Sequence, residues 1–442
     1  MTKTTISSRF RDLGKFLSSV SGDLSNVTAP PFFLAASSVV EVGHCWSQRP
    51  GVFAAPALEP DDAKRSLLVL RMVLIAMRSQ FYIEGSPTVS IKKPLNAFLG
   101  EVFLASWTHE PPPPAAAAAA ATTNTHTDNR DETSHGTTHG RKKDRSNEIN
   151  LGMDSGDGRS ATTRLVSEQV SHHPPITAMA IVDDEHGIRA DGYARVEMTF
   201  GSSIDIKQIG HAILSIAQYS ESYLIPLPDV RVRGLLSGRL YPEVQGTYSI
   251  VSSSGFVSEI TFTGAGMFRG SKNMFQAKMY RKDDANKTAI YEVAGCWSDG
   301  WTVKDSATGQ LLEKYDVDAL DNQPARMNIK PLDEQDEWES RRAWRGVADA
   351  LRRGDFRNAV TEKSRLEEAQ RRMRADEAKL GTTFEPLLFR RKGGEEHDVF
   401  HELAKGTDWQ LQAERTKGVW QVDDQKTTGI QHPLRGGLTP LG

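Results

Sequence analysis

Glu168-Gln169-Val170-Ser171-His172-His173-Pro174-Pro175-Ile176 is the stretch of this chain most suited to chemistry. Adjacent imidazoles bind an anion when protonated and a metal when neutral. The prolines hold the residues before them extended, so the segment is stiff and not helical. A metal site would join Glu168, His172 and His173. Neighbours on an extended chain point to opposite faces, so both imidazoles reach one ion only through a sharp bend. No HExxH and no third convergent ligand is present, which argues against catalysis. A second group is Lys363, Glu367 and Arg371. Their spacing puts them on one helical face, about 6 Å apart along its axis. Alone they describe a salt-bridged surface.

The elements that must position these groups show in the hydrophobic period. Ile6, Phe10, Leu13, Leu17 and Val20 make one apolar stripe of a short helix ended by Ser21-Gly22-Asp23. A second helix is predicted from Asp61 to Phe81, capped by Asp61 or Asp62. Residues 110–162 hold four prolines, seven alanines and then a Thr/His/Asp/Gly/Ser mixture. Such a segment buries too little surface to offset its ordering entropy and reads as a disordered insertion. From Leu165 to Tyr315 the period is two. Ile188, Ala190, Gly192, Ala194, Val196, Met198 and Phe200 alternate with Arg189, Asp191, Tyr193, Arg195 and Glu197. Recurrent turn signals make this a run of antiparallel hairpins, hence a sandwich or barrel. Past Pro331 the period is helical again, over Trp338–Arg352 and Phe356–Leu380, divided by Gly354-Asp355. Residues 386–442 read as a polar tail whose aromatics strap onto the body.

Composition narrows the function classes. The 442 residues carry 54 Lys+Arg against 57 Asp+Glu, a formal net charge of −3. Nucleic-acid binders show a basic excess instead. The longest apolar stretch, Leu67 to Met77, is broken by Arg71 and falls short of the roughly 20 residues a membrane span needs. Lys3, Arg9 and Arg11 precede no apolar signal region, so a cytosolic chain is expected. Cys45 and Cys296 build neither a disulfide framework nor a CxxC site. Length alone suggests about three ordinary domains, a rule that large β-barrels break.

Glu168 to Ile176 resembles the signature of the oxysterol-binding-protein-related lipid-transfer family. Lys92-Lys93-Pro94-Leu95-Asn96-Ala97-Phe98-Leu99-Gly100-Glu101 resembles a second family fingerprint, with Ala97 where proline is usual. Trp338-Glu339-Ser340-Arg341-Arg342-Ala343-Trp344 and the helix of Lys363, Glu367 and Arg371 resemble the family's C-terminal part. Gly22 to Phe32 resembles the end of its N-terminal lid. The resemblance covers about residues 5–385 apart from the insertion, and is closest to short fungal homologues made of the lipid-binding domain alone. It implies a mainly β fold with helices (α+β): a near-complete antiparallel barrel around a hydrophobic tunnel. The implied parts are a lid over residues 1–32, a helical segment with the first strands over 33–109, and the insertion over 110–162. The barrel over 163–330 and a helical subdomain over 331–385 follow, before the tail.

The resemblance further implies a phosphatidylinositol 4-phosphate site of Lys93, Leu95, Asn96, His172, His173, Lys363, Glu367 and Arg371. In sterol-binding members the tunnel offers polar groups to the sterol hydroxyl, and Trp46, Gln80 and Gln208 match them. Phe81 stands where tyrosine is usual, Ala194 where asparagine is usual, and Phe10, beside Leu13 in the lid, where the sterol binders have tryptophan. An unpartnered buried hydroxyl costs about 1–3 kcal/mol, so these changes weaken the sterol reading and leave another lipid open. The implied activity is exchange of sterol and phosphatidylinositol 4-phosphate, one at a time, with transient contact at membranes of endoplasmic-reticulum and Golgi type. Catalysis, a cofactor, a metal, nucleic acid and an obligate protein partner are not expected. No pleckstrin-homology module, ankyrin module or acidic receptor-docking segment is read in the chain. A lipid-dependent sensor remains an alternative, as does a metal-dependent hydrolase on Glu168, His172 and His173.

Overall fold

The computed structural model describes residues 29–83, 86–88, 90–109, 161–200, 203–234, 239–264, 271–319 and 322–442. The lid helix with Phe10 and Leu13, and the insertion up to residue 160, lie outside them. A parallel pair, β1 (Leu34–Ser38) and β2 (Lys93–Leu95), precedes one large sheet. That sheet takes β3 (Val102–His109), β4 (Ala161–His172), β5 (Pro175–Asp183), β6 (Ile188–Phe200), β7 (Ile204–Ile216) and β8 (Glu221–Ile225) as antiparallel neighbours. It continues through β11 (Gly246–Ser252), β12 (Phe256–Thr263), β13 (Met274–Arg281), β14 (Tyr291–Cys296), β15 (Gly300–Asp305) and β16 (Leu311–Asp316). The hairpin β9 (Val230–Arg233) and β10 (Tyr241–Val244) branches from β7, and β17 (Met327–Asn328) edges β3. The ends of this 15-stranded sheet, β16 and β17, do not pair with one another. It is a near-barrel, the α+β architecture that the period-two run and the resemblance predict. Instead of three domains, one curved sheet organises most of the described chain.

The predicted strand over 188–200 is β6, and its alternation has a physical result. Ala190, Gly192, Ala194, Val196 and Met198 line the interior, while Arg189 and Arg195 meet carboxylates outside. Gly210 lets β6 and β7 approach: at φ +142° a Cβ there would lie 2.0 Å from the carbonyl oxygen of Tyr193. The helix Asp62–Phe81 packs against the inside of the barrel, with Leu67, Leu70, Leu74 and Met77 buried and Asp61 accepting from the Lys64 amide at 2.8 Å. Arg71, which interrupts its apolar run, meets Glu313 at 3.1 Å.

A second core lies on the outer face of β4–β6, where the helices Arg345–Arg352 and Phe356–Leu380 dock. The segment 386–442, expected to be a polar tail, is more structured than that. It carries the ladder β18 (Phe389–Lys392) with β19 (Val419–Val422), and it buries Phe389, Phe400 and Trp420. Sparse apolar residues hid this, because the aromatics join two patches on the barrel, Phe389 with Trp420 and Phe400 with Trp409, instead of forming a periodic face. Another holding point is the stacked pair His211 and His397, whose Nε2 atoms are 2.9 Å apart.

Two wholly buried carboxylates bolt these layers together. Glu101 accepts from the Phe98 amide at 3.0 Å, the Ser340 hydroxyl at 2.6 Å and the Trp344 indole at 2.9 Å. Glu168 accepts from the amides of Leu387 and Leu388, each at 2.8 Å, and meets the Arg435 guanidinium at 3.4 Å. Burial pushes both carboxyls up to about 7. Glu101→Ala orphans three donors at once and should cost about 3–5 kcal/mol in urea unfolding; a loss under about 1 kcal/mol would refute this bolting role.

Candidate functional site

β4 and β5 pair as far as His172 opposite Pro175, so His173 and Pro174 form the turn between them. The opposite-face rule therefore stops at His172. The two rings lie side by side, with centroids 4.7 Å apart and planes at 71°. The Nδ1 of His172 lies 3.1 Å from the carbonyl oxygen of Ala97, which leaves Nε2 for a ligand. Both histidines border a cleft of about 670 Å³, together with Asn96, Glu367 and Arg371.

The helix Phe356–Leu380 supplies the far wall. Asp355 caps it by accepting from the Asn358 amide at 3.1 Å, and Gly381, at φ +66°, ends it. Lys363 is buried against the Glu367 carboxylate and does not itself border the cleft. Arg371 is 72% exposed and sits 3.9 Å from the other Glu367 oxygen. Lys93 and Asn96 are placed by β2 pairing with β1, Leu34 opposite Lys93. Leu95 borders neither the cleft nor the two apolar cavities below; it is wholly buried in the outer core. Glu168 serves the C-terminal segment, so its carboxylate does not converge with the two imidazoles, which answers the metal-site alternative.

Two adjoining apolar cavities, about 200 and about 120 Å³, run inside the sheet. The larger meets the cleft at His172 and Asn96, which border both, and Lys93 stands at this mouth. Gln80, Ala194 and Gln208 border both cavities, Phe81 the mouthward one and Trp46 the deeper one. The amide of Gln208 donates one N–H to the carbonyl oxygen of Pro228 at 2.6 Å. Phe81 packs edge-on against Trp297, with centroids 5.8 Å apart. Trp46, Gln80 and Gln208 are the polar groups of the predicted set that border the tunnel.

Three cations at the cleft were not predicted. Arg374 lies one turn past Arg371, a spacing readable from sequence once the helix is assigned. Arg391 on β18 and Lys417 beside β19 come from the segment read as a tail, where no sequence signal pointed to the cleft. Lys417 donates to the carbonyl oxygen of His173 and lies 3.4 Å from the Ser171 hydroxyl.

An apolar tunnel here opens on a cationic mouth, a shape that suits one amphiphilic molecule. The oxysterol-binding protein family profile matches residues 13–350, and the chain belongs to that family. It is 40% identical over 427 residues to a probable transporter, efuK, of Hormonema carpetanum, covering 96% of this chain and 54% of that one. The chain thus spans about half the length of that relative. It is 32% identical to protein kes1 of Schizosaccharomyces pombe, covering 91% of each. Two crystal structures share its fold. One is an Osh1 ORD domain in complex with ergosterol, with TM-score 0.58, 21% identity and 90% of each chain covered. The other is an Osh3 ORD in complex with PI(4)P from Saccharomyces cerevisiae, with TM-score 0.59, 19% identity, and 90% of this chain and 95% of that one covered.

Burial, then the neighbouring His173, holds the pKa of His172 below its ordinary value, so the empty cleft presents a neutral imidazole. A phosphate dianion placed beside it would reverse that preference. The occupied state would then bind the extra proton, so His172 would strengthen phosphate binding as pH falls, until the free imidazole is itself charged. Calorimetry in buffers of different ionisation enthalpy should show proton uptake on binding, reduced in His172→Gln. Equal uptake in both proteins would exclude His172 as the group that charges.

Proposed function

We propose that this chain is a lipid-exchange protein, not an enzyme, that carries one lipid at a time. A sterol occupies the tunnel, or phosphatidylinositol 4-phosphate places its acyl chains there and its head in the cleft. The observation that carries this reading is the shared border of tunnel and cleft at His172 and Asn96. The sterol body and the acyl chains need the same apolar volume, so the ligands compete. Lys93, His172, His173 and Arg371 bind the phosphates. Glu367, held between Lys363 and Arg371, orders the cations and accepts from inositol hydroxyls. Leu95 and Lys363 act from behind: Leu95 anchors the Lys93–Asn96 turn in the core, and Lys363 fixes Glu367.

No helix among the described residues is long and apolar enough to cross a membrane. The proposed contact is brief, at the cytosolic surface of organelle membranes of endoplasmic-reticulum and Golgi type. A second reading, in which the counter-lipid is not a sterol, is favoured by Phe81 and Ala194, which bring no polar atom to the tunnel floor. Native mass spectrometry of co-purified lipid distinguishes the two.

Lys93→Ala, or His172→Ala with His173→Ala, should abolish extraction of phosphatidylinositol 4-phosphate from liposomes and leave loading of the neutral lipid nearly intact. Wild-type extraction by either variant would show that the head group binds elsewhere.

A further inference from the structure

The barrel wall thins where β7 changes partners. On that edge β7 pairs with β8 from Ala212 to Ile216 and with β9 from Ile204 to Ile206. Between the two registers it faces Pro226-Leu227-Pro228-Asp229, whose prolines have no N–H to give a ladder. Side chains close the interval instead. The Asp229 carboxylate accepts from the backbone N–H of Gln208 at 2.9 Å, and the Gln208 side chain donates to Pro228. The Tyr248 hydroxyl accepts from the backbone N–H of Asp229 at 3.0 Å.

The deeper tunnel cavity meets a second cleft here, one of about 850 Å³ on the outer face of the sheet. Tyr193 and His211 belong to the outer face, where His211 stacks on His397, yet both border the deeper cavity. Tyr248 packs inward beside Phe262, yet it borders the outer cleft, as do Gln208 and Leu227. Side chains, not a ladder, separate the two spaces, so rotating them joins the spaces without breaking strand pairing.

The outer cleft differs in chemistry from the cationic one. Its three lysines and four carboxylates nearly cancel. Lys287 meets Glu259 at 2.9 Å, and Lys282 donates to the carbonyl oxygen of Leu403 at 3.1 Å. Ser249, Thr407 and Gln410 bring neutral donors and acceptors, beside the rings of Tyr280 and Trp409. Such a mixture suits an uncharged group rich in hydroxyls. The tunnel floor offers less to a bare hydroxyl, since Phe81 and Ala194 bring it no polar atom.

We propose that the interval between β7 and Pro226–Asp229 is a window through which the deep end of the neutral cargo reaches the outer cleft. That cargo then carries an uncharged, hydroxyl-bearing group larger than a single hydroxyl. This rests on the lipid-exchange reading above and names the class of its neutral ligand. Leu227, half-buried between two prolines and bordering both spaces, sets the width of the window.

The test equilibrates the full chain with three cyclodextrin-held probes: cholesterol, cholesterol bearing a hexose on its 3-hydroxyl, and cholesterol bearing a short acyl ester there. Binding is read at equilibrium, because the polar end enters the tunnel first. The hexoside should bind about tenfold more tightly than cholesterol, the worth of one or two neutral hydrogen bonds, and the ester no more tightly. Leu227→Trp should fill the window and weaken hexoside binding about tenfold or more, leaving cholesterol within about twofold. Ser249 borders the outer cleft and neither tunnel cavity. Ser249→Trp should therefore act in the same direction, and keeps the test decisive should Leu227→Trp fold poorly. A hexoside no tighter than cholesterol, an ester that gains as much as the hexoside, or a preference untouched by both variants would each overturn the window. Binding of cholesterol alone overturns the window only. Binding of none of the three, with phosphatidylinositol 4-phosphate still extracted, removes the sterol reading as well. Extraction of no lipid overturns the exchange reading with it.

Discussion

Two carboxyl groups shut away from water hold the site in place. Glu101 and Glu168 sit at the same end of the β3–β4 ladder: Glu168 pairs with Val102, and the Gln169 amide donates to the carbonyl oxygen of Glu101 at 2.9 Å. From there Glu101 reaches the helical subdomain through Ser340 and Trp344, and Glu168 reaches the C-terminal segment through Leu387, Leu388 and Arg435. The three units that wall the cleft are therefore bolted at one place. A buried carboxylate adds little net stability, but its donors cannot drift without exposing it unpaired, so it specifies geometry. That explains why motifs that look like ligand-binding signatures contain residues that never meet a ligand. Glu101 and Glu168 build the frame; Lys93 and His172 face what enters it.

A barrel with a filled interior would carry nothing. Here the inner face of β6 is small where a cavity is needed, with Ala190, Gly192 and Ala194 in succession on the inward side. The helix Asp62–Phe81 fills only part of the space, and large side chains such as Trp297, Trp301 and Phe275 crowd another part of the core. The tunnel survives because packing is spent where β13–β16 and the helix meet, and withheld along β5–β7. The two solvents a lipid needs, an apolar interior and an ionic rim, thus lie on opposite sides of His172.

Much of this was legible beforehand because it is local and periodic. The boundaries of Phe356–Leu380 followed from Asp355 and Gly381, and β6 followed from alternation. Lys363, Glu367 and Arg371 followed from helical spacing, though spacing does not reveal that Lys363 faces inward and is spent on Glu367. What failed was non-local. Strand alternation sent His172 and His173 apart, whereas a turn puts their rings together. Arg391 and Lys417 stand in sequence far from everything they touch, in a segment with no hydrophobic period, and only the docking of its isolated aromatics brings them to the cleft.

The near-zero net charge of the chain conceals this arrangement instead of contradicting it. Several surface cations elsewhere are matched nearby: Arg189 to Asp191 and Asp424, Arg231 to Asp205, Lys287 to Glu259. Around the cleft the matching is thinner, since Glu168 is turned to the backbone of Leu387 and Leu388 and Glu367 is shared by two cations, while Arg374 meets Glu377. Local excess charge next to apolar volume selects a ligand that satisfies both, and no simple ion or simple oil does so. In the proposed exchange, a neutral lipid would enter with the tunnel energy alone and leave the cations hydrated, whereas a phosphorylated one would displace that water and charge His172 as it binds. The same tunnel would then hold its two cargoes by different forces. Their exchange would respond to pH and salt on one side only, the side of the phosphate.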